Sequence, residues 1–478
     1  MAGTLSGSPT YGLTPTATKV TDNTNYIKDF NFLSQYLPDT YEKEFERYGN
    51  RSIASFLRMV GAEMPTNSDM IKWSEQGRLH MKYTGLIPSA ISSGTQLFTV
   101  PNSGTHAFRL NQTVFLSGTN GNSYKGVISA VAANQTTFTV SYYTLTTSAA
   151  DPFSTGTVTA FVYGSEFQKG TSGMSGSLEA QDNFFDNKPI IIKDNYQVTG
   201  SDMAQIGWVE VTTENGATGY LWYIKSEHET RLRFEDYLEM SMVEGVPAAA
   251  SSAALSYLSP SANSILGGQL TSTGTTAAGT KGLFYEVENR GNVWSGGNPS
   301  VLTDFDAIIQ RLDKQGAIQE NAIFLNRQFS FDIDDMLASQ NSYGANGTSY
   351  GLFDNDKEMA LNLGFTGFRR GYDFYKTDWK YLNDATLRGD IVAGGINGVL
   401  VPAGSTNVYD QVLGKNAKRP FLHVRYRASE TEDRRYKTWI TGGAGGATTS
   451  DADYMKVNFL SERALCVLGA NNFFLFKS

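Results

Sequence analysis

Chemistry at a protein site needs particular side chains at particular spacings, so those residues come first. The four histidines stand at His80, His106, His228 and His423. None has a second His, a Cys or clustered carboxylates at metal-ligand spacing, so no metal site is expected. The single cysteine, Cys466, lies in an apolar run and reads as a core thiol. The run Gly442-Gly-Ala-Gly-Gly446 lacks the following helix signal that a phosphate cradle needs. No Gly-x-x-x-x-Gly-Lys-Ser/Thr loop and no Gly-x-Ser-x-Gly elbow occurs. Asp354-Asn-Asp-Lys-Glu358 imitates the start of a calcium loop, but Met359 and Phe365 occupy the places of its Gly and Glu, so a helix start fits better. Asp332, Asp334 and Asp335 read as acids at the start of a helix over 331–339, where carboxylates are favoured. Arg369, Arg370, Lys376 and Lys380 interleave with Phe368, Tyr372, Phe374, Tyr375 and Trp379. That is the nearest approach to a nucleic-acid surface, and a strand with ordinary inter-subunit contacts is favoured over it. No catalytic, cofactor-binding or metal residue is therefore expected, and no enzyme.

Bulk properties narrow the class. At 478 residues, two to four domains and a large core are expected. Charged residues make up only 18%, while 25 Tyr, 28 Phe and 48 Gly point to a folded, β-rich, loop-rich chain. The net charge of −8 does not mark a nucleic-acid binder. One cysteine forbids an intrachain disulfide, so stability must come from packing in a reducing compartment. No apolar window is long enough for a membrane span, and the start is not a signal peptide.

The elements themselves then carry the information. The stretch Ala217–Glu244 contains no proline, and Gly245 and Pro247 follow it. Leu221, Ile224, His228, Arg231, Phe234 or Glu235 and Leu238 recur at three or four residues. A helix over 217–244 would run roughly 42 Å. Its faces mix aromatics with charges, so several partners along its length are expected, other chains among them.

Residues 1–24 are polar and carry only Lys19 and Asp22 as charges, so they form either a disordered tail or an arm ordered on a neighbour. Two short helices follow, the second bearing Ile53, Phe56, Leu57 and Val60. Met70–Tyr83 alternates as one long strand. From Gly85 to Ser165 the only charges are Arg109, Lys125 and Asp151, and short β runs recur between turn signals. This reads as an inserted antiparallel barrel or sandwich. Its aromatics Phe98, Phe115, Phe138, Tyr142 and Tyr143 alternate as core residues should, which gives glycan binding little support. A return over roughly 187–213 makes the other side of a hairpin that holds the insert at its tip. Val246–Thr280 has no charge and is expected to be covered by neighbouring surfaces, with a flexible linker as the alternative. From Ser300 an α/β region begins with a helix capped by Thr303 and Asp306. Strands close the chain after Phe421.

This order resembles the Hong Kong 97-type major capsid proteins of tailed bacteriophages. Tyr36-Leu-Pro-Asp-Thr-Tyr41 and Asn458-Phe-Leu-Ser-Glu-Arg-Ala-Leu-Cys-Val-Leu-Gly-Ala-Asn-Asn472 look most like the capsid proteins of crAss-like phages. The resemblance implies an α+β fold of N-arm, extended hairpin loop, spine helix, peripheral and axial domains, here with an inserted small all-β domain. The implied division is 1–30 arm, 31–69 N-terminal helices, 70–84 with 166–213 hairpin loop, 85–165 insert, 214–299 spine helix and peripheral domain, 300–420 axial domain, and 421–478 closing strands. It further implies self-assembly as hexamers and pentamers into an icosahedral shell enclosing double-stranded DNA. The implied partners are further copies, portal and auxiliary or decoration proteins, and weakly held DNA. It implies no cofactor, and a location in the virion after assembly in the host bacterial cytoplasm. No cross-linking Lys/Asn pair can be carried over. The alternatives are a nonviral nanocompartment shell of the same fold, or a carbohydrate-binding or enzymatic protein using the insert.

Overall fold

The computed structural model describes residues 56–57, 63–78, 80–145, 151–153, 156–178, 182–204, 211–212, 218–219, 222–249, 253–254, 279–316, 318–340, 367–410, 415–446 and 448–478. The arm at 1–30, most of 31–69, most of the uncharged segment and Asp354–Glu358 lie outside them. The chain divides into two compact units. One holds the described residues of Lys193–Asp236 and Thr438–Phe459, and the other holds the remaining described residues.

In the larger unit, β1 (Glu63–Thr66) is followed by β2 (Ile71–Gln76) and β3 (Lys82–Pro88). The single strand expected over 70–83 is thus two, interrupted after Gln76. The six strands β3, β4 (Thr95–Thr99), β5 (Gln112–Gly118), β6 (Ser123–Val131), β7 (Thr137–Tyr142) and β8 (Val158–Ser165) close a barrel in the order β3-β4-β7-β6-β5-β8. The barrel therefore starts at Lys82, three residues before the expected insert boundary. Closure removes the open edges that so charge-poor a sheet would otherwise expose. Alternation places Leu86, Phe98, Val114, Leu116, Ile128, Phe138, Val140, Tyr142, Val158 and Ala160 inside. Phe115 and Tyr143 are not core residues, as the alternation suggested. Phe115 is half-buried and Tyr143 exposed. The acid Asp151 accepts from Gln96 Nε2 at 2.9 Å and from the Phe153 amide at 3.0 Å, and buried Gln96 accepts from the Tyr142 hydroxyl.

After the barrel, β9 (Asp182–Asn187) runs antiparallel to β2, with Trp73 opposite Phe185 and Ile71 opposite Asn187. Only β9 returns along β2. The next strand, β10 (Ile190–Thr199), joins β22 (Tyr454–Val467) instead.

In the smaller unit, a helical turn at Gly200–Met203 is capped by the Thr199 hydroxyl, and β11 (Val211–Thr212) pairs with β12 (Thr218–Gly219). That pairing holds residues 218–219 in strand, so the long helix runs Trp222–Glu244, shorter than the 217–244 expected, and it belongs to the smaller unit up to Asp236 and to the larger from Tyr237. The Ile224 side chain lies outside the described ones. Thr230, Phe234, Leu238, Met242 and Val243 are buried at helical spacing, while His228, Arg233 and Tyr237 are exposed. In this unit Phe234 stacks on Phe459 with centroids 5.7 Å apart. Gly445 carries φ +64, a left-handed conformation that favours glycine, and a Cβ there would lie 2.7 Å from the Met203 and Met455 side chains, which would have to shift.

The second half of the larger unit begins with the helix Leu283–Arg290 and β13 (Asn292–Ser295). The helix Leu302–Gln315 starts ahead of Thr303, so Thr303 is no cap; the Asp304 carboxylate instead accepts from the Ser300 amide at 3.2 Å. Then come β14 (Glu320–Leu325), the helix Arg327–Gln340, β15 (Gly367–Arg370), β16 (Tyr372–Asp378), β17 (Ile396–Pro402), and the pair β18 (Ser405–Asp410) and β19 (Lys415–Pro420). They are followed by β20 (Leu422–Arg427), then by β21 (Lys437–Gly442) and the start of β22, whose residues Thr438–Phe459 belong to the smaller unit, and by β23 (Phe474–Lys477). A mixed six-stranded sheet has the order β13-β23-β17-β14-β16-β15. It draws in β13 from before residue 300 and β23 from the end of the chain, so the α/β region is not confined to 300–420. Phe305, Ile308 and Leu312 from one helix and Phe329, Ile333 and Met336 from the other pack on Ile323, Phe374, Leu400 and Phe476. β1 lies parallel to β20, which lies antiparallel to β22 with Val424 opposite Leu465.

Candidate functional site

The β2–β9 ribbon is a two-stranded sheet of its own. Period-two alternation gives it two unlike faces. Ile71, Trp73, Glu75, Phe185 and Asn187 share the inner face, while Lys72, Ser74, Gln76, Asp182, Phe184 and Asp186 share the outer one. Phe184 is 75% exposed among these polar neighbours.

Two polar clamps fix the inner face. Arg290, in the last turn of its helix, places its guanidinium 3.7 Å from the Phe185 ring centroid and 5.7 Å from that of Trp73. It donates to Glu75 Oε1 at 2.6 Å and also pairs with Glu286 one turn earlier. Glu75 Oε1 also accepts from Trp73 Nε1 at 3.2 Å and from the Gly469 amide at 3.0 Å. Burial raises the Glu286 pKa, and the Arg290 charge and hydrogen bond pull against it. The second clamp is Asn187, only 2% exposed. Its Nδ2 donates to the carbonyls of Lys281 (2.9 Å) and Leu465 (2.6 Å). Its Oδ1 accepts from the amides of Lys188 (2.8 Å) and Lys281 (2.9 Å) and from the Thr280 hydroxyl (3.0 Å). Lys281 Nζ then reaches the Asp186 carboxylate at 3.1 Å. A polar cleft of about 530 Å³ opens beside the first clamp, lined by Arg78, Asn183, Gln315 and Asn471 among others.

The C-terminal end of the long helix is held in the same manner. Glu244 would oppose the helix dipole there. It accepts from Arg388 Nη2 at 2.8 Å and from the Tyr381 hydroxyl at 2.5 Å. Gly245 is required by close approach: a Cβ would lie 2.7 Å from the Thr280 carbonyl oxygen.

The residues singled out by chemistry are scattered. His80 and His228 are exposed, while His106 and His423 are buried. Desolvation lowers the pKa of His106, which sits against Phe138 at 5.1 Å. No group of three or more His, Cys, Asp or Glu among the described residues is placed to hold a metal ion. Burial pushes the Cys466 thiol up to about 12. Asp332 and Asp334 do not stand at a helix start, because the helix begins at Arg327. Asp332 instead accepts from Asn298 Nδ2 at 2.6 Å, and Asp334 pairs with Lys376. Arg369 pairs with Asp373 at 3.2 Å and Arg370 with Asp306 at 2.7 Å, while Tyr372 and Phe374 enter the core. Three of the four cations of the basic–aromatic run, Arg369, Arg370 and Lys376, are thus paired with carboxylates, and Lys380 opens the short helix Lys380–Asn383. Gly442–Gly446 is the turn between β21 and β22, where the Gly443 amide donates to the Ala452 and Tyr454 carbonyls at 2.9 and 3.0 Å.

Sequence reasoning missed Arg290, Glu75, Asn187 and Phe185. Arg290 and Glu75 are 215 positions apart, so no local pattern joins them.

No family model matches the chain, and no curated protein matches it. Among solved structures, a chain from Mycobacterium phage Ogopogo aligns at TM-score 0.40 and 8% identity, covering 92% of this chain and 97% of that one. The capsid of a native GTA particle aligns at TM-score 0.39 and 9% identity, covering 95% and 99%. A chain from Mycobacterium phage Che8 aligns at TM-score 0.32 and 12% identity, covering 63% and 76%. At these values the functional reading rests on the chain's own geometry.

Proposed function

We propose that this chain is a structural shell subunit: a major capsid protein of the Hong Kong 97 type, similar to those of crAss-like phages. The observation that carries the reading is the β2–β9 ribbon. Its two strands pair with each other alone among the described residues, and its outer face presents Phe184. Such a ribbon is marginal in water, and its open edges invite pairing. The clamps at Arg290 and Asn187 nevertheless hold one face rigidly. A second copy laid along the other side supplies the missing cover.

On this reading the ribbon is the extended hairpin loop and the long helix the spine. The six-stranded sheet belongs to the axial domain, the β20–β22 region to the peripheral domain, and the barrel is the insert. Contacts repeated between copies close hexamers and pentamers into an icosahedral shell around double-stranded phage DNA. Many modest interfaces sum to a stable lattice. Portal and auxiliary or decoration proteins complete the particle, which is assembled in the host bacterial cytoplasm. DNA is touched weakly, since the net charge is −8 and a firm grip needs clustered cations.

Electron microscopy of the purified full chain, with nuclease digestion of any cargo, tests this. Uniform closed shells with nuclease-protected DNA are expected. Shells filled with protein would move the reading to a nanocompartment. A monomer at every concentration would end it.

A further inference from the structure

The barrel carries a second cluster that the shell reading does not use. On its outside, Tyr143 and Tyr163 are each 49% exposed and Phe161 is 39% exposed. Phe115 on β5 lies directly opposite Phe161 on β8, with ring centroids 5.3 Å apart. Lys125 on β6 lies opposite Phe115 and holds its Nζ 5.6 Å from the Tyr163 ring centroid. The Tyr143 amide donates to the Lys125 carbonyl at 3.2 Å, and the Tyr143 hydroxyl donates to the Glu166 carboxylate. Partial burial, the Glu166 bond and charge, and the nearby Tyr163 together raise the Tyr143 pKa. Hydroxyl groups border the rings, with Ser117 opposite Thr159 on the neighbouring pair, and a second lysine, Lys82, lies opposite Phe161.

We propose that this outer barrel face, built on Tyr143, Tyr163, Phe161, Lys125 and Glu166, is a binding site for a neutral carbohydrate chain. Polar groups hold the two tyrosines, and each residue stays half exposed. Pyranose rings present C–H faces that stack on such rings. Their hydroxyls can donate to the Glu166 carboxylate and accept from the Lys125 ammonium. Two ammonium groups and one carboxylate leave too little net charge to select a polyanion, and nucleic acid would need a clustered basic groove. A second copy of the chain is disfavoured at this spot. The core of a protein interface is depleted of charged residues, whereas here Tyr143 and Tyr163 are both engaged by a charged group. The inference does not depend on the shell reading.

The test is binding of the full chain to an array of neutral β-glucan, α-mannan, xylan and galactan oligosaccharides beside sialylated and sulfated ones. Retention on at least one neutral class is expected. Tyr143→Ala and Tyr163→Ala should each weaken it about tenfold, while Tyr163→Phe, which keeps the ring, stays near the parent. If an alanine variant melts early, Lys125→Gln with Glu166→Gln asks the same question with both rings kept, and a loss of affinity is again expected. The proposal is overturned if no neutral glycan is retained. It is equally overturned if only charged glycans bind, if the variants bind like the parent, or if self-association alone shields the tyrosines from chemical modification.

Discussion

The Arg290 guanidinium sits over the Phe185 ring, 3.7 Å from its centroid, and also engages Glu75 and Glu286. One side chain thus joins strand β2, strand β9 and the helix Leu283–Arg290. It also supplies the charge that keeps a buried carboxylate tolerable.

Arg290→Ala leaves Glu286, 4% exposed at its side chain, without its hydrogen-bonded cation, with only the Lys281 charge still acting on it. A loss of about 3 kcal/mol is expected. Arg290→Lys keeps the charge but not the planar fork, and about 1 kcal/mol should be lost. Urea unfolding of both variants measures the difference. Equal midpoints for lysine and arginine would remove the stacking from the account.

Asn187→Ala strands two backbone carbonyls and two amides in the interior, and a cost of about 2–3 kcal/mol is expected. Asn187→Asp should be worse at neutral pH, because a carboxylate would then face the Leu465 carbonyl. Thermal melting across pH separates the two. A neutral Asp variant would show that water enters this site.

Cys466 gives a pH prediction with a definite sign. Its thiol is raised from an ordinary value of 9.0 to about 12 by burial. A raised pKa means that the folded state resists releasing the proton. The stability tied to this thiol is complete below about pH 9 and falls as pH rises towards about 12. Cys466→Ala should flatten the alkaline slope of the unfolding midpoint. A thiol reagent should label the native chain only as fast as it opens, and rapid native labelling would contradict the burial.

Phe184→Asp changes an outward residue of the ribbon, so the folded subunit should keep its stability within about 0.5 kcal/mol. Assembly should be lost, as read by sedimentation. Normal shells from this variant would remove Phe184 from the contact, and an early-melting monomer would place it inside the subunit.

The sequence made several things legible by short-range rules. Glycine and proline punctuation, 3.6-residue spacing and period-two alternation located the long helix and its end at Glu244, the charge-poor β region and the buried Cys466. Periodicity failed where two alternating faces were both plausible: Phe115 and Tyr143 alternate like core residues, yet barrel closure turned them outward. It failed again at 70–83, where one continuous pattern covers two strands with different partners.

Long-range pairing belonged to the tertiary structure alone. β13 meets β23 across about 180 residues of sequence, and Glu75 meets Arg290 across 215. Alternation states which face a side chain occupies but not which distant strand lies beside it. That choice comes from burying apolar surface and satisfying backbone groups over the whole chain at once. The sequence alone located the long helix, the charge-poor β region and the apolar strand of Cys466. Only the tertiary structure decided that two clamped polar residues would fix the ribbon, and that the barrel would present its tyrosines to solvent.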